Sequence, residues 1–163
     1  MDEQQLHEAV AAALRAGADA AEAVFAERQS LSIGVREGAL EEVEREESRD
    51  LGLRVFVGRR QAVVSTTDQR PALLEAMVER AVAMARAVPE DPFCGIADPD
   101  AIATGPTPDL DAEDPVEPAA EALIERAKAA EAAALAVAGV TNSEGAEAGW
   151  SRSAVWMAAS NRR

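Results

Sequence analysis

Apolar residues recur every three or four positions in three segments of the chain, which is the spacing of an amphipathic helix. The three predicted helices cover about residues 3–16, 70–88 and 118–137. The first helix is expected to end at Gly17, because glycine readily takes the left-handed conformation of a helix C-cap. The second has clear start signals, since Asp68 can cap its N-terminus and Pro71 suits its first turn.

Each of the two longer helices has an apolar stripe that is predicted to face the core. The stripe of the second helix consists of Leu74, Met77, Ala81, Met84 and Val88. The stripe of the third consists of Leu123, Ile124, Ala127, Ala130 and Leu135. Lys128 in the third helix is expected to lie at the surface, in ion pairs with Glu125 and Glu131.

Between the first two helices the apolar period changes to that of a β-strand. The alternating apolar residues are Leu31, Ile33 and Val35, and then Leu51, Leu53, Val55 and Val57. Gly38 and Gly58 mark turn candidates, because glycine tolerates a positive φ. Residues 20–67 are therefore predicted to form a meander of four or five strands, with Arg59 and Arg60 at the tip of the last hairpin.

The remaining segments complete the predicted fold class. Residues 89–118 hold seven of the eight prolines and are predicted to form a long irregular arm that contacts another domain or subunit. The segment after Gly139 favours two strands around Glu144 and Gly145. Because the elements do not alternate as βαβ units, the sequence predicts one α+β domain over residues 1–163, with a mainly antiparallel or mixed sheet packed with three helices.

The charge of the chain argues against nucleic acid as a partner. The formal net charge is −14 and the isoelectric point is about 4.4, whereas nucleic-acid binding depends on Lys and Arg that neutralise phosphates. The single cysteine excludes an internal disulfide bond. The acidic N-terminus lacks the features of a signal peptide, and no run approaches the ~18 apolar residues of a membrane span. We therefore expect a cytoplasmic protein without a membrane partner.

No set of residues along the chain has the pattern of a catalytic, metal-binding or cofactor-binding site. His7 precedes a glutamate, but a zinc-binding helix needs a second histidine four positions later, and His7 is the only histidine. It is expected to be an exposed helix residue. Cys94 has no base beside it in the sequence and is expected to be a loop residue. A hard-cation site among Asp109, Asp111 and Asp114 remains an alternative.

Five phrases occur in order along almost the whole chain. They are "AGADAAEAVFAERQSLSIGVREGALEEVE", "DLGLRVFVGRRQAVVSTTD", "PEDPFCGIADP", "PDLD" and "VTNSEGAEAGWSRSAVWMAASN". Together they resemble the N-terminal domain of the TldD/PmbA family, and the third and fourth are more similar to its PmbA (TldE-type) branch. The positions singled out within these phrases are Gly52, Gly58, Asn142, Ser143 and Gly145, and we interpret them as structural turn or sheet residues.

The resemblance implies a fragment of a longer cytoplasmic chain. In this family the TldD-type subunit carries a zinc-type His-Glu-x-x-x-His motif and is a metallopeptidase. It pairs with a PmbA-type subunit around an internal cavity that admits unfolded peptides. Residues 1–163 contain no such motif, so the resemblance implies no catalytic residue and no cofactor in this fragment, with zinc expected only in the TldD-type subunit.

Three hypotheses about function follow. In the first, the chain is the non-catalytic N-terminal domain of a PmbA-like subunit, whose partner is a TldD-like subunit or a second full-length copy and whose substrate is a peptide. In the second, it is the same domain of a metal-bearing, TldD-like chain. In the third, it is a stand-alone regulatory module that acts on DNA gyrase, as an older name of the family suggests.

Overall fold

The computed structural model describes residues 3–103, 105–106 and 108–161. Its elements are α1 (Glu3–Arg15), β1 (Ala20–Arg36), β2 (Ala39–Val57), β3 (Arg60–Thr66), α2 (Pro71–Ala87), a 3-10 turn (Pro99–Ala101), α3 (Ala120–Leu135) and β4 (Ala146–Ala159). The strands form one sheet in the order β3-β2-β1-β4, in which β2 and β3 pair antiparallel from Leu51↔Thr66 to Val57↔Arg60. The predicted α+β fold class with three helices is confirmed.

The strands are longer and fewer than the apolar alternation predicts. Residues 20–67 form three strands instead of four or five, because β1 and β2 continue through polar stretches at which the sequence suggests breaks. Backbone hydrogen bonding between neighbouring strands does not depend on apolar side chains. A strand can therefore continue beyond the residues in which apolar and polar side chains alternate. The two strands expected around Glu144 and Gly145 are also wrong, since only one strand, β4, forms there and both residues precede it.

The described chain folds into two compact units. Unit 1 consists of the described residues within 1–27, 48–106 and 154–163, and unit 2 of those within 28–47 and 107–153. The strands β1, β2 and β4 each contribute residues to both units.

Unit 1 has a core between its part of the sheet and the helices α1 and α2. Its buried apolar residues include Leu6, Val10, Ala13, Phe25, Leu51, Leu53, Val55, Met77, Val78, Ala81, Val82 and Ala85. Helix α1 ends as predicted, with Gly17 at a φ of +98°. In α2 the predicted stripe is partly wrong, because Met84 is exposed while Val78 and Val82 are buried.

The start of α2 also differs from the prediction. Pro71 does occupy the first turn, but Arg70 is the N-cap residue and no side chain caps the helix. Asp68 instead accepts a hydrogen bond from the Arg70 backbone N–H at 3.0 Å, together with bonds from the Arg70 guanidinium. Asp68 lies two residues before the N-cap position, too early to reach the free N–H groups inside the helix.

Unit 2 has a smaller core, in which α3 covers β1 and β4. Its buried apolar residues are Leu31, Ile33, Val35, Leu123, Ala127 and Ala148, with Ala120, Ile124, Ala146 and Trp150 partly buried against them. The predicted stripe of α3 is wrong at Ala130 and Leu135, which are exposed. The buried face follows a spacing of four residues instead and ends in a charged residue, Glu131.

The segment between α2 and α3 is irregular apart from the 3-10 turn, as far as its residues are described. In unit 1 it is attached to the hairpin of β2 and β3 by a hydrogen bond from the Asp91 N–H to the Arg59 carbonyl oxygen, at 2.8 Å. The Asn161 side chain donates another to the Ala97 carbonyl oxygen. A contact of this arm with another domain or subunit stays a prediction.

Candidate functional site

Glu131 is the one charged side chain that is buried in the described part of the chain, with an exposed fraction of 2%. It lies on α3, four residues after Ala127 and eight after Leu123, and therefore on the face that packs against the sheet. Burying a carboxylate is costly unless its oxygens are hydrogen-bonded. Its partners therefore define the most constrained polar arrangement in unit 2.

The partners of Glu131 are two consecutive backbone N–H groups in the turn between β1 and β2. The Glu37 N–H donates to Oε1 at 3.0 Å, and the Gly38 N–H donates to Oε2 at 2.8 Å. The turn has two residues, and both have a positive φ, 53° at Glu37 and 73° at Gly38. This is the pattern of a type I′ hairpin turn, and consecutive N–H groups of this kind form a concave site that binds an anion.

These contacts set the protonation state of Glu131. The hydrogen bond from the Gly38 N–H lowers the pKa of the carboxyl below its ordinary value, and burial acts in the opposite direction. The Glu37 N–H, the Ser143 hydroxyl and the positive charge of Arg36 lower the pKa further. Glu131 is therefore ionised at neutral pH, and its role is to hold the turn rather than to accept a proton from a substrate.

The segment before β4 also contacts the Glu131 carboxylate, through the Ser143 side chain. The Ser143 Oγ accepts a hydrogen bond from the Gly145 N–H at 3.0 Å, which fixes a tight turn. Gly145 has a φ of +116°, and a Cβ there would lie 2.6 Å from the Val35 carbonyl oxygen, so only glycine fits. Asn142, in contrast, is exposed. We call Glu131, the turn residues Glu37 and Gly38, and Ser143 the Glu131 clamp.

A second hairpin turn, in unit 1, is also held by a carboxylate. Gly58 opens the two-residue turn between β2 and β3 with a φ of +57°, and its N–H donates to Asp19 Oδ2 at 2.7 Å. Arg60 beside it forms an ion pair with Glu90 at 3.0 Å, whereas Arg59 is exposed. We call Asp19 and this turn the Asp19 clamp.

Gly52, the remaining glycine singled out in the sequence, has no comparable constraint. It lies inside β2, and a Cβ there would meet the Val24 carbonyl oxygen at 3.9 Å, an ordinary contact. The structure therefore brings Ser143 and Gly145 to the Glu131 clamp and Gly58 to the Asp19 clamp, and it places Gly52 in neither.

The residues considered for metal or nucleophilic chemistry have other environments. His7 lies exposed on α1, 3.8 Å from Glu3, and Cys94 is a half-buried free thiol in the arm. Asp109 accepts a bond from the Asp111 N–H, and Asp114 one from the Val116 N–H, each at 2.9 Å, so both carboxylates shape local turns. Within the described residues, no group of three or more His, Cys, Asp or Glu side chains has the arrangement of a metal site.

Sequence reasoning missed both clamping carboxylates. The sequence predicts a surface ion pair of Glu131 with Lys128, but Glu131 is buried, and Lys128 lies 3.7 Å from the other expected partner, Glu125. The sequence does contain a signal for the burial of Glu131, because Leu123, Ala127 and Glu131 are spaced four residues apart and so share one face of a helix. Asp19 had no such signal, since nothing in its local sequence indicates a turn 39 residues away.

None of the helices in the described ranges is both long and apolar enough to cross a membrane.

Comparisons with known proteins relate this arrangement to a family. Residues 21–85 match the family model of PmbA/TldA metallopeptidase domain 1. Over 144 residues the chain is 36% identical to the metalloprotease PmbA of Escherichia coli O157:H7, an alignment that covers 86% of this chain and 32% of that protein. The chain spans about a third of the length of the curated relatives it matches.

Two solved structures share the fold. A protein described as a modulator of DNA gyrase, from Bacteroides thetaiotaomicron, superposes with a TM-score of 0.83 at 23% identity, over 100% of this chain and 38% of that one. TldE from Thermococcus kodakarensis superposes with a TM-score of 0.74 at 14% identity, over 98% of this chain and 35% of that one. By sequence, the chain is therefore similar to the TldD/PmbA family, with residues 21–85 matching its first domain, and the two solved structures show the same fold.

Proposed function

We propose that the chain is the non-catalytic N-terminal domain of a PmbA (TldE)-like subunit, in a cytoplasmic metallopeptidase complex that processes unfolded peptides. The observation that carries this proposal is the 36% identity to the metalloprotease PmbA over 86% of the chain. The partner in this proposal is a TldD-like subunit or a second full-length copy.

The chemistry of the domain supports a structural role within such a complex. A zinc peptidase site needs about three protein ligands and an open position for water, and histidine is its commonest ligand. The chain has one histidine, which lies on the exposed face of α1. Its most constrained carboxylate, Glu131, already accepts two backbone hydrogen bonds. In this proposal, therefore, the zinc is bound by the TldD-type subunit.

The proposal is tested with the chain 1–163 alone and mixed with a TldD-like subunit. Zinc is measured by mass spectrometry after dialysis against zinc, and cleavage is measured on an unfolded casein probe. We expect the chain alone to bind no stoichiometric zinc and to cleave nothing. Stoichiometric zinc together with turnover by the isolated chain would refute the non-catalytic assignment.

The alternative of a metal-bearing, TldD-like chain is decided by the gene. A His-Glu-x-x-x-His motif encoded in the same reading frame beyond codon 163 would favour it over the PmbA-like assignment. The word metalloprotease in the name of the Escherichia coli relative is what keeps this alternative open.

The gyrase alternative is motivated by the description of the Bacteroides relative. Immobilised chain 1–163 is incubated with purified DNA gyrase at about physiological salt, with bovine serum albumin as the control protein. Specific retention of gyrase would favour a regulatory module, and no retention would count against it.

A further inference from the structure

The last part of the irregular arm, residues 108–118, leads to the start of α3 in unit 2, and we call it the strap. Residues 108–117 are exposed without exception, and the exposed fractions of Leu110 and Val116 are 73% and 65%. Within the described part of the chain, no hydrogen bond joins a backbone group of the strap to another backbone group. The strap is therefore held neither by apolar burial nor by backbone pairing.

Two ion pairs attach the strap to the strands of unit 2. The Arg45 guanidinium on β2 donates a hydrogen bond to Glu117 Oε1 at 2.8 Å. The Arg152 guanidinium on β4 donates one to Glu113 Oε1. In the sheet, β1 lies between these two strands, which are therefore about 10 Å apart. An extended chain covers about 13 Å between Glu113 and Glu117, so the strap is long enough to bridge β2 and β4.

The charge of the strap makes its attachment depend on these two arginines. The strap carries five acidic residues and no basic residue, in a chain with a formal net charge of −14. Residues 39–47 of β2, which surround Arg45, carry five glutamates and repel it as well. Once both ion pairs are broken, none of the described contacts opposes the conformational entropy that a free segment gains.

We propose that the strap is a releasable latch, which the two ion pairs hold on unit 2 and which becomes a free linker when they are broken. The four charged side chains have exposed fractions of 44% to 64%. Exposed ion pairs are weak, because water and salt compete with them. The latched state is therefore only slightly more stable than the released state. The beginning of the arm differs, since its Asp91 N–H is bound to a backbone oxygen, that of Arg59.

A charge-swap cycle at the pair of Glu113 and Arg152 tests the latch by NMR relaxation of the strap amides. E113R places two arginines opposite each other, and R152E places two glutamates. In both, we expect the order parameters of residues 109–114 to fall from about 0.8 to below about 0.6. E113R/R152E restores an ion pair and the net charge of the parent chain, so it should restore the order parameters. The control is R49E, which breaks an exposed ion pair with Glu27 outside the strap and should leave the strap ordered.

A salt titration of the unmodified chain keeps the proposal testable if a variant fails to fold. Because the Debye length falls to about 3 Å at about 1 M salt, the strap should lose order between low salt and that concentration. Residues 91–97 are the internal control, since a backbone hydrogen bond attaches them to Arg59, and their order parameters should not change.

Three outcomes would overturn the proposal. The strap would be no latch if it is equally ordered in the parent chain and in E113R, or if E113R/R152E does not restore its order. A strap that is already mobile at low salt, or still ordered at about 1 M salt, would also contradict the proposal. None of these readouts involves zinc or peptide cleavage, so they are independent of the proposed function.

Discussion

The two hairpin turns of this chain are held by the same kind of contact, but the surroundings of the two contacts differ. Both turns have two residues, contain a glycine with a positive φ and donate backbone N–H groups to a carboxylate from outside the hairpin. The carboxylate of Glu131 is buried and uses both oxygens, whereas that of Asp19 is exposed and uses one for its turn. A hydrogen bond to a charged group contributes more where water cannot replace it, so the Glu131 clamp is expected to stabilise its hairpin more.

The cores of the two units explain why this difference matters. In unit 1 two helices cover the sheet, and large side chains such as Phe25 and Leu6 are fully buried. In unit 2 one alanine-rich helix covers it, with six buried apolar residues in the described part of the chain. Since the hydrophobic stabilisation scales with the apolar area that is buried, unit 2 depends more on its polar contacts.

The largest expected effect is at Gly145, beside the Glu131 clamp. G145A places a Cβ 2.6 Å from the Val35 carbonyl oxygen at a φ of +116°, so it should lower the free energy of unfolding by about 3 kcal/mol. Urea denaturation followed by circular dichroism measures this loss. The matched control is G149A, in which the new Cβ meets the Leu31 carbonyl oxygen at 3.6 Å. A loss in G145A no larger than in G149A would contradict the requirement for glycine.

The next effect concerns Glu131 and has a pH signature. E131Q keeps one acceptor oxygen and turns a donor toward the turn, so one N–H is left without a partner and the urea midpoint at pH 7 should fall. Because folding lowers the pKa of Glu131 from about 4.5, its ionised form stabilises the native state above that value. This contribution is lost as the pH falls through the lower folded-state pKa.

Urea midpoints measured between pH 7 and pH 2.5 test this sign. The parent chain should lose more stability on acidification than E131Q does, so that their midpoints converge in acid. E125Q is the control, because Glu125 lies on the same helix but is exposed and pairs with Lys128 at 3.7 Å. Parallel pH profiles for the parent chain and E131Q would show that the buried carboxylate does not hold the turn.

A smaller effect is expected at the Asp19 clamp. D19A removes one hydrogen bond to the Gly58 N–H and should cost about 1 kcal/mol. D19N retains an acceptor oxygen and should cost less. Amide hydrogen exchange gives a local readout, since the Gly58 N–H should exchange faster in D19A. Unchanged exchange at Gly58 in that variant would mean that the bond contributes nothing in solution.

The smallest effect is expected at the basic tip next to Gly58. R59S/R60S removes one exposed side chain and one surface ion pair with Glu90. Exposed ion pairs contribute little to stability, so the change should stay below about 0.5 kcal/mol. Thermal denaturation at low and high salt measures it. A loss of several kcal/mol would place these arginines in a buried network.

The sequence predicted the elements of this fold better than their ends. The α+β class, the three helices and the turns at Gly38 and Gly58 follow from apolar periods and from glycine. The number of strands did not, because β1 continues through the polar residues 28–30, where only pairing with its neighbours holds it extended. The stripe of α2 was also partly wrong, since the packing partners of a helix select which of two adjacent apolar faces is buried.

The sequence by itself determined the fold class, the acidic character of the chain and its resemblance to the TldD/PmbA family. These depend on the amino-acid composition, on the local spacing of apolar residues and on the order of short sequence phrases, all of which can be read from the sequence. Tertiary structure alone decided that Glu131 and Asp19 hold the hairpin turns and that Gly145 has to be glycine. Each of these contacts joins residues between 39 and 110 positions apart. No local pattern encodes such a contact, because it forms only when folding brings separate elements of the chain together.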